Sequence, residues 1–146
     1  MSKIRVLVAD DQELIRRGLT MMLAMEPDIE VVGQAGDGQQ TVQLAREYKP
    51  DVVLMDIKMP TMSGIQATRL ITGELTATQV VILTTYDTDN LVFDAVRAGA
   101  HAYLLKDAAE AEVLDVIRAV HRGESRLDPA IARKVMDEFR RVSSPL

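Results

Sequence analysis

Two four-residue runs, Val52-Val53-Leu54-Met55 and Val80-Val81-Ile82-Leu83, contain only apolar side chains. A strand with one wet face alternates apolar and polar residues, so an unbroken apolar run fits a strand covered on both faces, as in a parallel sheet. Parallel neighbours need crossover connections, and the chain between and around these runs supplies them. Ile4–Ala9 reads as a first strand, stopped by Asp10-Asp11, and Ile29, Val31 and Val32 make a second. Ala102-Tyr103-Leu104-Leu105 makes a fifth.

Helical patterns fill the gaps. Leu14, Ile15, Gly18, Leu19, Met22 and Leu23 recur at helical spacing before Pro27. Helices are predicted over residues 41–48 after the turn Gly36-Asp37-Gly38, over 65–71 with Thr72-Gly73 weakening the end, over 90–98 with Gly99 as cap, and over 112–122 closed by Gly123. Five strands alternating with five helices imply a doubly wound α/β fold. Beyond the alternation, Leu127-Asp128-Pro129 signals a further helix over residues 128–141, with Asp128 as N-cap and Pro129 at the first helical position. Its narrow apolar stripe is Ile131, Val135, Met136 and Phe139. That stripe is expected to pack on the preceding domain or on a second copy, and residues 143–146 are expected to be an unstructured end.

Composition removes several function classes. The net charge of −5 and five scattered aromatics give neither a phosphate-neutralising surface nor a base-stacking platform. With no Cys there is no disulfide framework, thiolate metal site or thiol nucleophile, and a reducing cytoplasm is allowed. No apolar stretch is long enough to span a membrane.

In an open α/β sheet, ligands bind beyond the carboxyl ends of the strands. The first strand ends in Asp10-Asp11, the third in Asp56, the fourth in Thr84-Thr85 and the fifth in Lys106. Carboxylates crowded without a counter-charge are strongly disfavoured. Mg²⁺, which takes oxygen ligands, would relieve the repulsion. One carboxylate could then attack phosphorus while the metal and Lys106 neutralise the phosphoryl oxygens, with the Thr84 hydroxyl donating to the same oxygens.

These residues stand in Val8-Ala9-Asp10-Asp11, Leu54-Met55-Asp56-Ile57-Lys58-Met59-Pro60, Ser63-Gly64, Leu83-Thr84-Thr85 and Tyr103-Leu104-Leu105-Lys106. Over about residues 3–122 this ordered set resembles the receiver domain of a two-component response regulator. The resemblance implies a flavodoxin-like, doubly wound five-stranded parallel sheet of order 2-1-3-4-5 with five helices, plus a C-terminal linker helix. It makes Asp56 the phosphoacceptor, with Asp10, Asp11, Asp56 and the Lys58 backbone carbonyl at Mg²⁺, Asp10 acting through a metal-bound water. Thr84 becomes the switch hydroxyl, Tyr103 the switch aromatic and Lys106 the phosphate-binding lysine. Phosphorylation is then expected to draw Thr84 and Tyr103 inward.

Leu83-Thr84-Thr85-Tyr86-Asp87, the stretch Gly99-Ala100-His101-Ala102-Tyr103-Leu104-Leu105-Lys106-Asp107, and Gly123-Glu124 are similar to the NarL/FixJ (LuxR-type) subfamily. That similarity implies a phosphoacceptor receiver domain over residues 1–123. Residues 124–146 would be a linker helix and tail leading to a helix-turn-helix DNA-binding domain that is absent. It further implies a cytoplasmic transcription factor, phosphorylated by a sensor histidine kinase, that forms a phosphorylation-linked homodimer, contacts DNA only through the missing domain and does not enter a membrane. The chain would not be an enzyme beyond its own phosphoryl acceptance and loss. One departure is Asp107, where receivers commonly carry Pro after the lysine, often through a cis bond; the resemblance leaves that bond open.

Rival chemistries fit less well. A haloacid-dehalogenase-type phosphatase needs a second Asp two residues after the nucleophile, and Lys58 stands there. A flavin domain needs aromatic loops, which are missing. Lys58 and Tyr86, two residues beyond Asp56 and Thr84, either overhang the site or point into solvent. His101 and His121 read as structural, Arg16-Arg17 as a solvated helix face, and Met21, Met22 and Met25 as core or interface packing.

Overall fold

The apolar runs do become the centre of a parallel sheet. The computed structural model describes residues 2–127 and 129–143. Its strands are β1 (Ile4–Ala9), β2 (Ile29–Ala35), β3 (Val52–Met55), β4 (Gln79–Thr84) and β5 (Ala102–Leu105), all parallel in the order β2-β1-β3-β4-β5. Every residue of β3 is buried. Period-two alternation divides the core between the faces. Leu7, Ala9, Val53, Met55, Val80, Ile82 and Tyr103 point to one side, and Val6, Val8, Val52, Leu54, Val81, Leu83 and Leu104 to the other.

The crossover helices are α1 (Glu13–Ala24), α2 (Gly38–Tyr48), α3 (Gly64–Glu74), α4 (Asp89–Arg97) and α5 (Glu110–His121). Leu23 of α1 and Val113, Ile117 and Val120 of α5 cover the second face, while Val42, Ala67, Ile71, Val92 and Ala95 of α2, α3 and α4 cover the first. Several boundaries differ from the sequence expectation, and three of the differences have a visible cause. β2 runs on to Ala35 because it pairs with β1 as far as Ala9. α2 starts at Gly38, since Asp37 is its N-cap and accepts from the Gln40 N–H at 2.7 Å. α3 continues through Thr72-Gly73 to Glu74: the Thr72 hydroxyl donates to the carbonyls of Thr68, at 2.9 Å, and of Ala98, at 2.7 Å. Gly99 follows α4 at φ 105°, the left-handed conformation expected of a C-terminal cap.

After α5, Arg126 bridges to Ala102, its N–H donating to the His101 carbonyl at 2.9 Å, so the chain runs along the open edge of β5. It then enters α6 (Pro129–Ser143). The proposed cap Asp128 and residues 144–146 lie outside the described residues, whereas Ser143, expected in the unstructured end, is the last residue of α6. α6 packs on α4, and Ile131 is buried in the same cluster as Tyr103, Val92 and Ala95. Lys134 adds an ion pair to Asp89 at 3.5 Å. Only part of the stripe is used. Val135 packs partly, but Met136 and Phe139 are about half exposed, because α6 turns Glu138 inward instead, held by Arg141 one turn on.

The amphipathic pattern of α1 is likewise only partly spent. Leu23 is buried and Leu19 and Met22 pack against the core, whereas Leu14, Met21 and Met25 are exposed.

Candidate functional site

The site forms where β1, β3, β4 and β5 all end. Asp56 is placed by the last backbone bond of β3, its N–H donating to the Ala9 carbonyl at 3.0 Å. Asp10 is placed in the same way, its N–H donating to the Ala35 carbonyl at 3.0 Å. Carboxylate oxygens of Asp10, Asp11 and Asp56 lie within 4.8 Å of one another. Asp10 and Asp56 are buried and Asp11 is exposed, so the cluster opens to solvent on the Asp11 side.

Lys106 reaches across from the end of β5. Its Nζ lies 2.7 Å from Asp10 Oδ2 and 3.0 Å from Asp56 Oδ2. The remaining oxygens accept backbone bonds, Asp10 Oδ1 from Gln12 N–H at 2.9 Å and Asp56 Oδ1 from Ile57 N–H at 2.8 Å. Burial raises the Asp10 pKa above the usual carboxylate value despite the Lys106 and Gln12 contacts. Burial also opposes the charge on Lys106, but its bonds to Asp10 and Asp56 outweigh that and hold its pKa above the usual lysine value. The Lys106–Asp107 bond is trans, as are all peptide bonds of the described residues. Lys106 keeps its reach because its own N–H donates to the Thr84 carbonyl at 2.9 Å.

The loop after Asp56 folds back onto the acceptor strand. Gly64 donates its N–H to the Ile57 carbonyl at 2.6 Å, and a Cβ there would stand 1.8 Å from the Asp56 carbonyl oxygen. Only glycine permits that approach. Ser63 and Gln66 close a capping box at the start of α3, which fixes where the loop ends.

Thr84 is fully buried, and its hydroxyl oxygen accepts a long bond from Tyr86 N–H at 3.4 Å. Tyr103 is also fully buried, its hydroxyl donating to the Tyr86 carbonyl. The Tyr103 ring thus lies inside the fold, with its hydroxyl tied to the β4–α4 loop. Burial lifts its phenol pKa far above the usual value. Lys58 and Tyr86 do not go their separate ways into solvent. The ammonium stands 4.2 Å from the ring centroid, joining the loop after β3 to the loop after β4.

Arg16 behaves otherwise than the sequence suggests, while Arg17, His101 and His121 stay apart from the site. Arg17 is a solvated helix residue, but Arg16 is half-buried and donates from Nη1 to the Asp10 carbonyl at 2.8 Å. Nothing in the composition of α1 separates the two; the only clue is that Arg16 lies within a turn of the β1–α1 loop, whose carbonyls belong to no strand ladder. His101 is structural, its Nδ1 accepting from Val80 N–H at 3.0 Å with its pKa lowered by burial, and His121 is exposed.

The sequence matches the family described as response regulator receiver domain over residues 6–118. The chain belongs to that family. It is 48% identical over 136 residues to the uncharacterized transcriptional regulatory protein YxjL of Bacillus subtilis, covering 93% of this chain and 62% of the relative. It is 46% identical over 137 residues to the transcriptional regulatory protein LiaR of the same organism, covering 94% of this chain and 65% of the relative. A crystal structure of a LuxR-family two-component response regulator from Aurantimonas sp. SI85-9A1 superposes with a TM-score of 0.85 at 32% identity, covering 94% of this chain and 99% of that one. The chain spans less than two thirds of the length of these curated relatives. The receiver is therefore homologous to those of transcriptional response regulators, which are not enzymes of the ordinary kind, and phosphoryl acceptance is the family function. Among the described residues no helix is long and apolar enough to cross a membrane.

Proposed function

We propose that Asp56 is the phosphoacceptor of a cytoplasmic two-component regulator and that a sensor histidine kinase is its donor. The observation that carries this is the placement of Asp56 at the end of a central strand, within 4.8 Å of two further carboxylates and 3.0 Å from the Lys106 ammonium. A carboxylate oxygen of Asp56 attacks phosphorus, the P–N bond to the donor imidazole breaks, and the leaving nitrogen keeps the bonding pair. Lys106 supplies positive charge to the transferring oxygens and the Thr84 hydroxyl a hydrogen bond.

The donor set fits a hard divalent cation. It consists of carboxylate oxygens, and three carboxylates against one ammonium leave an excess of negative charge. Asp11, Asp56 and the Lys58 carbonyl would hold Mg²⁺ directly and Asp10 through a water. The metal, when bound, neutralises phosphoryl oxygens. The acyl phosphate then engages Thr84 and favours the inward Tyr103 arrangement over its alternatives, a population shift felt by α4 and β5.

Residues 1–123 form the receiver in this reading and 124–146 the linker to a DNA-binding domain, through which alone the regulator contacts DNA. Phosphorylation promotes homodimers, and the chain catalyses only its own phosphoryl acceptance and loss. The test is incubation with acetyl phosphate and Mg²⁺. A base-labile mass increase on the parent chain, lost in Asp56→Asn, is expected; equal labelling of the two would refute the assignment.

A further inference from the structure

The peptide that joins Asp10 to Asp11 carries the Asp10 carbonyl, between the end of β1 and the start of α1. β1 ends at Ala9 and α1 begins at Glu13, so this carbonyl belongs to neither ladder. Its partner is the guanidinium of Arg16, at 2.8 Å. Arg16 is anchored in turn by the helix, its own N–H donating to the Gln12 carbonyl at 2.9 Å. The same Nη1 lies where a Cβ on Gly36 would be in ordinary contact, 3.5 Å away, so the guanidinium is wedged between the ends of β1 and β2.

We propose that Arg16 is a positioning residue for the metal-binding pair Asp10 and Asp11, fixing through the Asp10 carbonyl the peptide plane between them. The inference rests on the reading of these carboxylates as the Mg²⁺ site. A peptide unit is rigid, so its carbonyl direction sets where the next Cα lies and where the next side chain starts. Asp10 is independently held by Gln12 and Lys106. Asp11 is exposed, and among the described residues no hydrogen bond or ion pair holds its carboxylate, so the plane before it carries its placement. A guanidinium suits the task better than an ammonium because its donors form a planar fork on a delocalised, weakly hydrated charge.

The test is Mg²⁺ titration of the purified chain by calorimetry, with thermal melts in EDTA alongside. Outer groups that orient metal ligands typically change affinity by about 10–100-fold. Arg16→Ala is expected to weaken Mg²⁺ binding by about 10-fold or more while its melt in EDTA shows a folded protein, and Arg16→Lys, which keeps one donor, is expected to fall between. A merely structural role would move the EDTA melt and leave the affinity alone. Parent and Arg16→Lys binding Mg²⁺ within about twofold of each other, with Arg16→Ala either equal to them or unfolded, would overturn the inference while leaving the metal site intact. A parent chain that binds no more Mg²⁺ than Asp11→Asn would overturn the metal site itself and the inference with it.

Discussion

Replacing Lys106 with methionine removes the one ammonium that serves two buried carboxylates. The side chains of Lys106, Asp10 and Asp56 are 14%, 2% and 6% exposed, so solvent screens these pairs poorly. Breaking a buried pair by deleting one partner costs about 3–5 kcal/mol. Here Gln12 and Ile57 still donate to the abandoned carboxylates, which argues for the lower end. About 3 kcal/mol corresponds to a fall in Tm of about 10 °C for a domain of this size. The melt belongs in EDTA, because a cation bound to the folded state would mask the loss. The pH dependence gives a second check. The folded pKa of Asp10 already lies above the usual carboxylate value, chiefly through burial, and loss of Lys106 raises it further. A group with a raised folded pKa contributes stability that is full below its unfolded value and fades as pH rises through the folded one. The deficit of Lys106→Met is therefore expected to shrink between pH 7 and pH 5. A loss under about 1 kcal/mol at pH 7, or a deficit that grows on acidification, would refute the view that these ion pairs hold the site together.

Asp11→Asn should be as stable as the parent in EDTA or gain up to about 1 kcal/mol, since Asp11 adds like charge without a cation of its own; urea melts check this. Lys58→Ala and Tyr86→Ala each dismantle the cation–π pair that joins the loops after β3 and β4, and both are expected to speed hydrolytic loss of the phosphoryl group, read by timed mass spectrometry. Ile131→Ala should cost about 2–4 kcal/mol and Phe139→Ala under about 0.5, a contrast that chemical denaturation resolves. His101 accepts from Val80 N–H and has a pKa lowered by burial, so the stability it contributes is full above the usual histidine value and falls as pH drops below it; His101→Gln should flatten that slope in melts between about pH 7.5 and pH 5.5.

The strand framework was legible because burial on both faces leaves no polar position, as in β3. The convergence of Asp10, Asp11, Asp56 and Lys106 was legible because parallel strands deliver their carboxyl ends to one edge. What escaped the sequence depends on backbone groups that carry no side-chain signal. Arg16 is set apart from Arg17 only by a carbonyl within reach, and Gly64 by the closeness of the Asp56 carbonyl rather than by loop chemistry. The extension of α3 past Gly73 follows from a bond to Ala98, 26 residues away. The stripe on α6 misled for a different reason. An apolar pattern shows which face could be buried, but the width of the α4 surface decides how much is, and it admits Ile131 while leaving Phe139 outside.

The route of the chain after α5 gives α6 the properties of a pointer. It leaves from the end of α5, yet takes its bearing from α4, against which it lies, and from a cluster that includes Tyr103. A 15-residue helix is about 22 Å long, so a reorientation of α4 by about 10° would sweep its far end through about 4 Å. A side-chain rearrangement of small amplitude inside the sheet is thereby converted into a surface displacement approaching the pitch of one helical turn, about 5.4 Å. Whatever is joined to that end would sense α4 by its direction alone, without touching the acidic site.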